Sequence, residues 1–330
     1  MQLKQKQIVQ KTLNRKVTTN GVKRYLSLQQ YGKIKYGKRV VKLPIDLGAT
    51  CPNRDGTIGT KGCIFCTDRG SGEWTVPELT ISEQLKYQTW KAKKKWGEDI
   101  APLAYAQNFS NTYMPLEELM WKCKEMLDGG VSGISLATRI DCLDKDNVEF
   151  LKHLSLKYIV WLELGLQSIH NSSLQWMNRG YSQEYFQTKW RELELNELEV
   201  IGHIIFGLPG ESKEEMLKTV DYISEAGFSG VKFHQLYIVE NSPLAKEHEK
   251  NNLRMLEKEE YVELVGEALA RLDSRIAVHR LTGDGDRESL IAPLWGKDKA
   301  KVLTEIDRYL KINSITQGCK RKGMCNDSIR

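Results

Sequence analysis

The chain has 330 residues, 40% of them hydrophobic and 28% charged, the balance of an ordinary globular protein. This composition excludes a collagen-like, mucin-like or wholly disordered chain, and no run of about 18 apolar residues is available to span a membrane. The net charge of +6 is uneven: residues 1–42 hold twelve Lys/Arg and no Asp/Glu, which leaves the remainder at −6. A basic head on an acidic body points to a polyanionic partner.

Residues 1–39 read as a basic arm with Tyr25, Tyr31 and Tyr36 spaced through it. Apolar, β-rich runs follow at 40–47, 103–109, 131–138, 158–166, 200–207 and 231–239, with a weaker one at 275–281. Amphipathic spacing predicts helices over 81–95, 116–127, 146–154, 185–195 and 214–226. Strand alternating with helix predicts parallel βα units. Six such units suit a doubly wound sheet or a partial barrel, and periodicity does not choose. Residues 241–330 read as an α/β extension packing on the core, with helical patterns at 258–272 and 299–310 and a polar tail at 319–330. The expected organisation is an arm (1–39), a βα core (40–240) and an extension (241–330).

The strongest chemical signal is Cys51-Pro-Asn-Arg-Asp-Gly-Thr-Ile-Gly-Thr-Lys-Gly-Cys63-Ile-Phe-Cys66. It follows the first strand, at the end that carries active sites in βα barrels. Gly56, Gly59 and Gly62 let its backbone fold round an inorganic core. A structural zinc site wants four ligands, and the nearest other cysteine is Cys123. A thioredoxin-like Cys63/Cys66 pair leaves Cys51 without a role. An iron–sulfur cluster on three thiolates leaves one iron free for a small molecule. Seven cysteines in 330 residues are too few for a disulfide scaffold. The basic N-terminus has no apolar h-region, so the expected location is cytoplasmic. Cys123 and Cys142 read as buried thiols, and Cys319 with Cys325 is too small a set for a second metal.

Three cysteines ending in C-x-x-C, with Phe65 before the last, resemble a radical S-adenosylmethionine (SAM) enzyme. The wide first spacing is similar to the Elongator catalytic-subunit-like branch, and most of all to the YhcC/YtqA type. Further strings share the resemblance: Asn108–Tyr113, Ser135–Asp141, Trp161–Ser168, Asn178–Tyr181 and His203–Gly210. The resemblance spans about residues 20–310 and implies a partial (βα)6 TIM-like barrel, a 4Fe-4S cluster held by Cys51, Cys63 and Cys66, and SAM. It implies chemistry by a 5′-deoxyadenosyl radical, and an electron donor such as flavodoxin or ferredoxin.

Carried over by position, Ser110, Asn111 and Thr112 stand where many relatives place a Gly-Gly-Glu turn on the SAM amine. Gln167 and Ser168 would approach the ribose or methionine part, Arg179 the SAM carboxylate, and His203 the ribose. Residues 207–210 resemble the turn that approaches adenine. Glu163 inside an apolar strand needs a partner, and reads equally as a salt bridge or a site residue. Arg139 and Asp141 read as partners of each other or of Glu163. His234 and Tyr237 are candidates for the barrel mouth, with a core histidine the equal reading, and His279-Arg280 on the last strand read as a site or a plain edge.

The basic arm and Trp90-Lys-Ala-Lys-Lys-Lys-Trp96 are suited to phosphates and unpaired bases. With an Elongator-like core this implies tRNA, and conversion of wobble 5-carboxymethylaminomethyluridine to 5-aminomethyluridine. Two alternatives stay open: a radical SAM enzyme acting on a small molecule or protein, and a non-catalytic, zinc-stabilised RNA-binding protein.

Overall fold

The structure, a computed structural model, describes residues 23–70, 75–283 and 285–321. In chain order it contains α1 (Leu28–Tyr36), β1 (Arg39–Ile45), α2 (Ile81–Trp96), β2 (Ile100–Ala106), α3 (Leu116–Asp128), β3 (Gly133–Thr138) and α4 (Lys145–Ser155). These lead to β4 (Ile159–Gln167), α5 (Asn171–Trp176), α6 (Gln183–Glu192), β5 (Glu199–Phe206), α7 (Lys213–Glu225) and β6 (Gly230–Gln235). The chain continues with β7 (Ile238–Val239), α8 (Pro243–Asn251), α9 (Lys258–Arg271), β8 (Ala277–Arg280), β9 (Leu290–Ala292) and α10 (Lys299–Ile312). Local chemistry sets several helix starts. Ser27, Thr80, Asp144 and Ser212 each accept from the N3 amide, while the N3 side chain caps back, so two orphan donors are satisfied at each start.

Seven parallel strands pair in the order β1-β2-β3-β4-β5-β6-β8 and curl into a half-barrel with helices outside. The fold is thus the expected partial barrel, with one strand more than six units supply. β8 comes from the segment read as an extension and pairs in parallel with β6, Gly230 opposite Ala277. The apolar run at 231–239 is not one strand. It breaks after Gln235, and Ile238–Val239 pairs antiparallel with β9 instead.

Residues 1–22 of the basic arm lie outside the described residues, and the described part, 23–39, departs most from expectation. Its tyrosines are not free to stack on bases. Tyr25 and Tyr31 are buried, with Leu26. Ser27 bridges the outer edge of β8 at Val278, and the Val278 amide donates to the Leu26 carbonyl at 2.8 Å. From there α1 crosses to the start of β1, spanning the open side of the half-barrel below the strands. Glu199, at the start of β5, accepts from Tyr31 Oη (3.0 Å), Tyr36 Oη (2.7 Å) and Trp161 Nε1 (2.6 Å). This is the lower end of the sheet, opposite the cysteine loop. Hydrophobic side chains outweigh charge here because an amphipathic helix at an open barrel end covers the apolar interior.

Inward-facing residues repeat every second position along the strands, and this stacks the interior in tiers. The lowest is apolar: Leu26, Tyr31, Val40, Leu103, Trp161, Ile201 and Ala277 form one buried cluster. One step up each strand lie Lys42, Tyr105, Glu163, His203, Lys232 and His279. Above them the barrel opens into a pocket.

Candidate active site

The cysteine loop is built as a compact fold of its own. The Arg54 amide donates to the Cys51 carbonyl (2.8 Å), that of Gly62 to Asn53 (2.7 Å) and that of Cys66 to Cys63 (3.0 Å). Gly62 sits at φ +69°, a conformation favourable only to glycine. The loop is clamped by the Asn178–Tyr181 string: Asn53 Nδ2 donates to the Asn178 carbonyl at 2.6 Å, and Asn178 Nδ2 donates to the Gly62 carbonyl at 2.7 Å.

Cys51, Cys63 and Cys66 all line one pocket. The Cys63 thiol is lowered to about 6, first by its hydrogen bond with Cys66 and, against burial, by the Arg139 charge and Asn53. The Cys66 thiol is pushed up by the same hydrogen bond, by burial and by the charges of Cys63 and Cys51. Three sulfurs thus feel one another beside cationic and N–H groups, a donor set that suits a thiolate-ligated iron–sulfur core. Among the described residues, no three His, Cys, Asp or Glu side chains converge on a point where a single metal ion would sit.

The carried-over SAM residues separate on inspection. Ser110 lines the pocket, and its buried hydroxyl has no partner except the Cys142 sulfur. Asn111 and Thr112 lie behind it. Asn111 Nδ2 donates to the carbonyls of Ala106 (3.0 Å), Asn108 (2.9 Å) and Ala137 (2.9 Å). Thr112 Oγ1 meets Thr138 Oγ1 and the Cys142 carbonyl, both at 2.7 Å. These two residues brace the turn and do not face the pocket.

Gln167 lines the pocket at φ +62°, just past a register shift in β4; such strain marks functional strand ends. Ser168 turns the other way: its Oγ donates to Glu211 at 2.5 Å and accepts from the His170 amide at 3.0 Å. Arg179 lines the pocket. Its guanidinium is buried and donates to the carbonyls of Gly165 and Leu166 and to Tyr181 Oη. It holds the bulged end of β4. Arg139 pairs with Asp141 at 2.9 and 2.6 Å, one of the two partners expected.

Glu163 is the centre of the charged tier. One oxygen accepts from Lys42 Nζ and from Ser135 Oγ (2.7 Å); the other accepts from His203 Nε2 (2.7 Å) and Lys232 Nζ. Burial alone would raise this carboxyl. The Lys232 and Lys42 charges and the His203 hydrogen bond hold it well below the usual carboxylate range. His203 is lowered to about 4 by burial and by Lys232. His203 therefore meets Glu163 as a donor within the barrel, and it lines the pocket. Glu163, His203, Lys232, His234, Tyr237 and Arg280 line the same pocket as the cysteines, so the three candidate catalytic residues are brought to one cavity. His234 stacks on His203, ring centroids 5.6 Å apart, and its buried Nε2 has no partner among the described residues.

Lys42, Lys232 and Asn53 were absent from the candidates. The available signal for the lysines was a charge between apolar neighbours, Val41-Lys42-Leu43 and Val231-Lys232-Phe233, inside a predicted strand. Asn53 had no signal, because its partner lies 125 residues away. Cys123 and Cys142 are buried as expected, each thiol pushed up to about 12 by burial. Cys319 is exposed, and Cys325 lies outside the described residues.

The Trp90–Trp96 segment lies on the outside of α2. Trp90 and Trp96 are 58% and 42% exposed, with Lys94 over Trp90 at 5.3 Å and Arg39 over Trp96 at 4.2 Å. No helix among the described residues is long and apolar enough to cross a membrane.

A half-barrel with a three-cysteine loop above its first strand defines a class, and the comparisons agree. Residues 51–223 match the Radical SAM superfamily and 228–312 the Radical_SAM C-terminal domain; the chain belongs to the radical SAM superfamily. Members use a 4Fe-4S cluster and SAM, and the residues here suit both. Within the family it is of the YhcC/YtqA type. It is 35% identical to Uncharacterized protein YtqA of Bacillus subtilis, over 91% of this chain and 94% of that one. It is 34% identical to Protein YhcC of Escherichia coli, over 85% and 90%. Its fold is similar to archaeal Methanocaldococcus infernus Elp3, with a TM-score of 0.66 at 16% identity, covering 84% of this chain and 64% of that one. A stretch of 85 residues, 25% of this chain and 18% of the other, is 39% identical to tRNA-2-methylthio-N(6)-dimethylallyladenosine synthase of Aliarcobacter butzleri.

Proposed function

We propose that this radical SAM enzyme modifies tRNA, converting wobble 5-carboxymethylaminomethyluridine to 5-aminomethyluridine. The observation that carries the reading is a single pocket running from the cysteine loop to a charged tier deep in the barrel. Cys51, Cys63 and Cys66 would hold the cluster, and Ser110 and Gln167 would contact SAM. When bound, these groups supply a 5′-deoxyadenosyl radical that takes a hydrogen atom from substrate. The protein's part is to position the substrate and exclude water.

The hydrogen removed lies on the carbon between amine and carboxylate. Loss of one electron to a one-electron acceptor and of the nitrogen proton gives an imine. Water adds, the C–N bond breaks, and glyoxylate leaves the aminomethyl product. Flavodoxin or ferredoxin would supply the initiating electron.

An RNA partner is supported by the +12 of residues 1–42, by the exposed Trp90–Trp96 face, and by the partial likeness to a tRNA-modifying enzyme. The described basic surface lies toward the lower end of strands that rise about 23 Å over seven residues. An RNA stem-loop would therefore run along the barrel flank to reach the pocket. The zinc reading is disfavoured because, among the described residues, no three His, Cys, Asp or Glu side chains converge on one point. A small-molecule or protein substrate is the outcome if RNA is untouched. The test is mass spectrometry of tRNA nucleosides after anaerobic incubation with reconstituted enzyme, SAM and reductant. Loss of the carboxymethyl group supports the reading; unchanged nucleoside overturns it.

A further inference from the structure

The charged tier carries more positive than negative charge. Both oxygens of Glu163 are saturated, each by two donors. Arg280, directly across from Lys232 in the β6–β8 ladder, lines the pocket and makes no ion pair with a described residue. Lys42, Lys232 and Arg280 therefore face one carboxylate. The Arg280 charge is felt by its neighbours, adding to the burial that disfavours the charged forms of Lys232 and His234, while Glu163 opposes it at Lys232. Unbalanced charge in a dry interior is costly unless an anion joins it.

The neighbouring parts are fixed. Gln235 Oε1 accepts from Thr282 Oγ1 at 2.9 Å and from the Gly283 amide at 2.6 Å, anchoring the turn after Arg280. A Cβ at Gly283 or Gly285 would stand 3.1 Å from the Tyr237 ring, so this ring is gripped between two backbone segments. His234 adds its unpartnered Nε2. The result is a rigid recess offering a guanidinium, an ammonium and an imidazole on the β6/β8 side of the pocket.

We propose that Arg280, Lys232 and His234 bind a carboxylate on the substrate, placing the adjacent carbon below the cysteine loop. The inference rests on the radical SAM reading and deepens it by naming a functional group. A planar guanidinium fork matches a carboxylate in two parallel hydrogen bonds. The carboxylate of SAM would have other cations to meet at the cysteine end, where Arg54 and Arg139 also line the pocket.

The test is labelling of Arg280 in the full-length, cluster-loaded protein with phenylglyoxal, read by peptide mass spectrometry. The probes are N-benzylglycine, its amide and SAM. The expected result is at least about tenfold protection by the carboxylate and none by the amide. Equal protection by both, or by neither, overturns the inference, and full protection by SAM alone assigns the recess to the cofactor and overturns it. Binding of N-benzylglycine should weaken at least about tenfold in Arg280→Met and recover in part in Arg280→Lys, with melting temperature as the folding control. These readouts are independent of tRNA. Protection with unchanged tRNA retains the carboxylate site and rejects the wobble reading; tRNA turnover without protection does the reverse.

Discussion

Asn53, within the cysteine loop, donates to the backbone carbonyl of Asn178, 125 residues later, and Asn178 returns a hydrogen bond to the loop at Gly62. The loop that carries three thiols is therefore held by the turn after α5, and its shape depends on a contact formed only in the folded barrel. Asn178 is itself in the left-handed region, at φ +54°, which Asn adopts more readily than most residues.

Replacement of Asn178 by Ala should strain that turn and leave the Gly62 carbonyl without its donor. The expected cost is about 1–3 kcal/mol. The loop should also hold iron less well, seen as lower iron per chain after anaerobic reconstitution. An unchanged iron content with an unchanged melting temperature would show that the clamp is dispensable.

Glu163→Gln should be far more damaging than an ordinary surface change. It leaves Lys42 and Lys232 buried without their counter-charge, at a cost of about 3–5 kcal/mol. Adding Lys232→Met to Glu163→Gln should return part of that loss, since one unpaired charge goes with it. Chemical denaturation of the three proteins checks the order.

The pH dependence follows from His203. Its folded value of about 4 lies below the ordinary histidine value, so between roughly pH 4 and 6.5 the unfolded chain binds more protons than the folded one. Stability should therefore fall on acidification through that window, by up to about 3 kcal/mol from this group. His203→Gln should lessen the fall of the urea midpoint across that range without removing it, because burial also holds His234 and His279 well below the ordinary value. Glu163 acts in the same direction at lower pH, because its depressed carboxyl is lost as protonation sets in.

The arm carries a stability prediction as well as a binding one. Leu26 is 1% exposed and sits in the apolar tier, so Leu26→Ala should cost about 2–5 kcal/mol. Removal of residues 1–39 would take Tyr25, Leu26 and Tyr31 with it. Its effect should appear first as a lowered melting temperature, before any measurement of RNA affinity.

The α2 face offers a cleaner test of RNA binding, because its groups lie outside the core. Changing Lys91, Lys94 and Lys95 together to Gln should alter stability by less than about 0.5 kcal/mol. The slope of log affinity for tRNA against log salt should become shallower by about two to three. A slope equal to the parent's would remove this face from the RNA surface.

Much of this protein is legible in its linear order. Alternating strands and helices imply parallel βα units, and local hydrogen bonding marks helix starts such as Thr80–Glu83 and Ser212–Glu215. The spacing of Cys51, Cys63 and Cys66, with the strings after each strand, suffices to identify the radical SAM class, because those residues sit at predictable strand ends. The curl that brings β8 beside β6 is not written in any local period. Nor is the plugging of the lower end by Leu26 and Tyr31, since a basic helix and a buried one differ only in which face meets the barrel. Arg179 holds the end of β4 and Ser168 meets Glu211, contacts that no local pattern announces. Side-chain direction at a bulged strand end depends on neighbours from distant segments. The grouping of Lys42, Glu163, His203, Lys232 and Arg280 arises the same way: each comes from a different strand, and only closure of the sheet makes them one site.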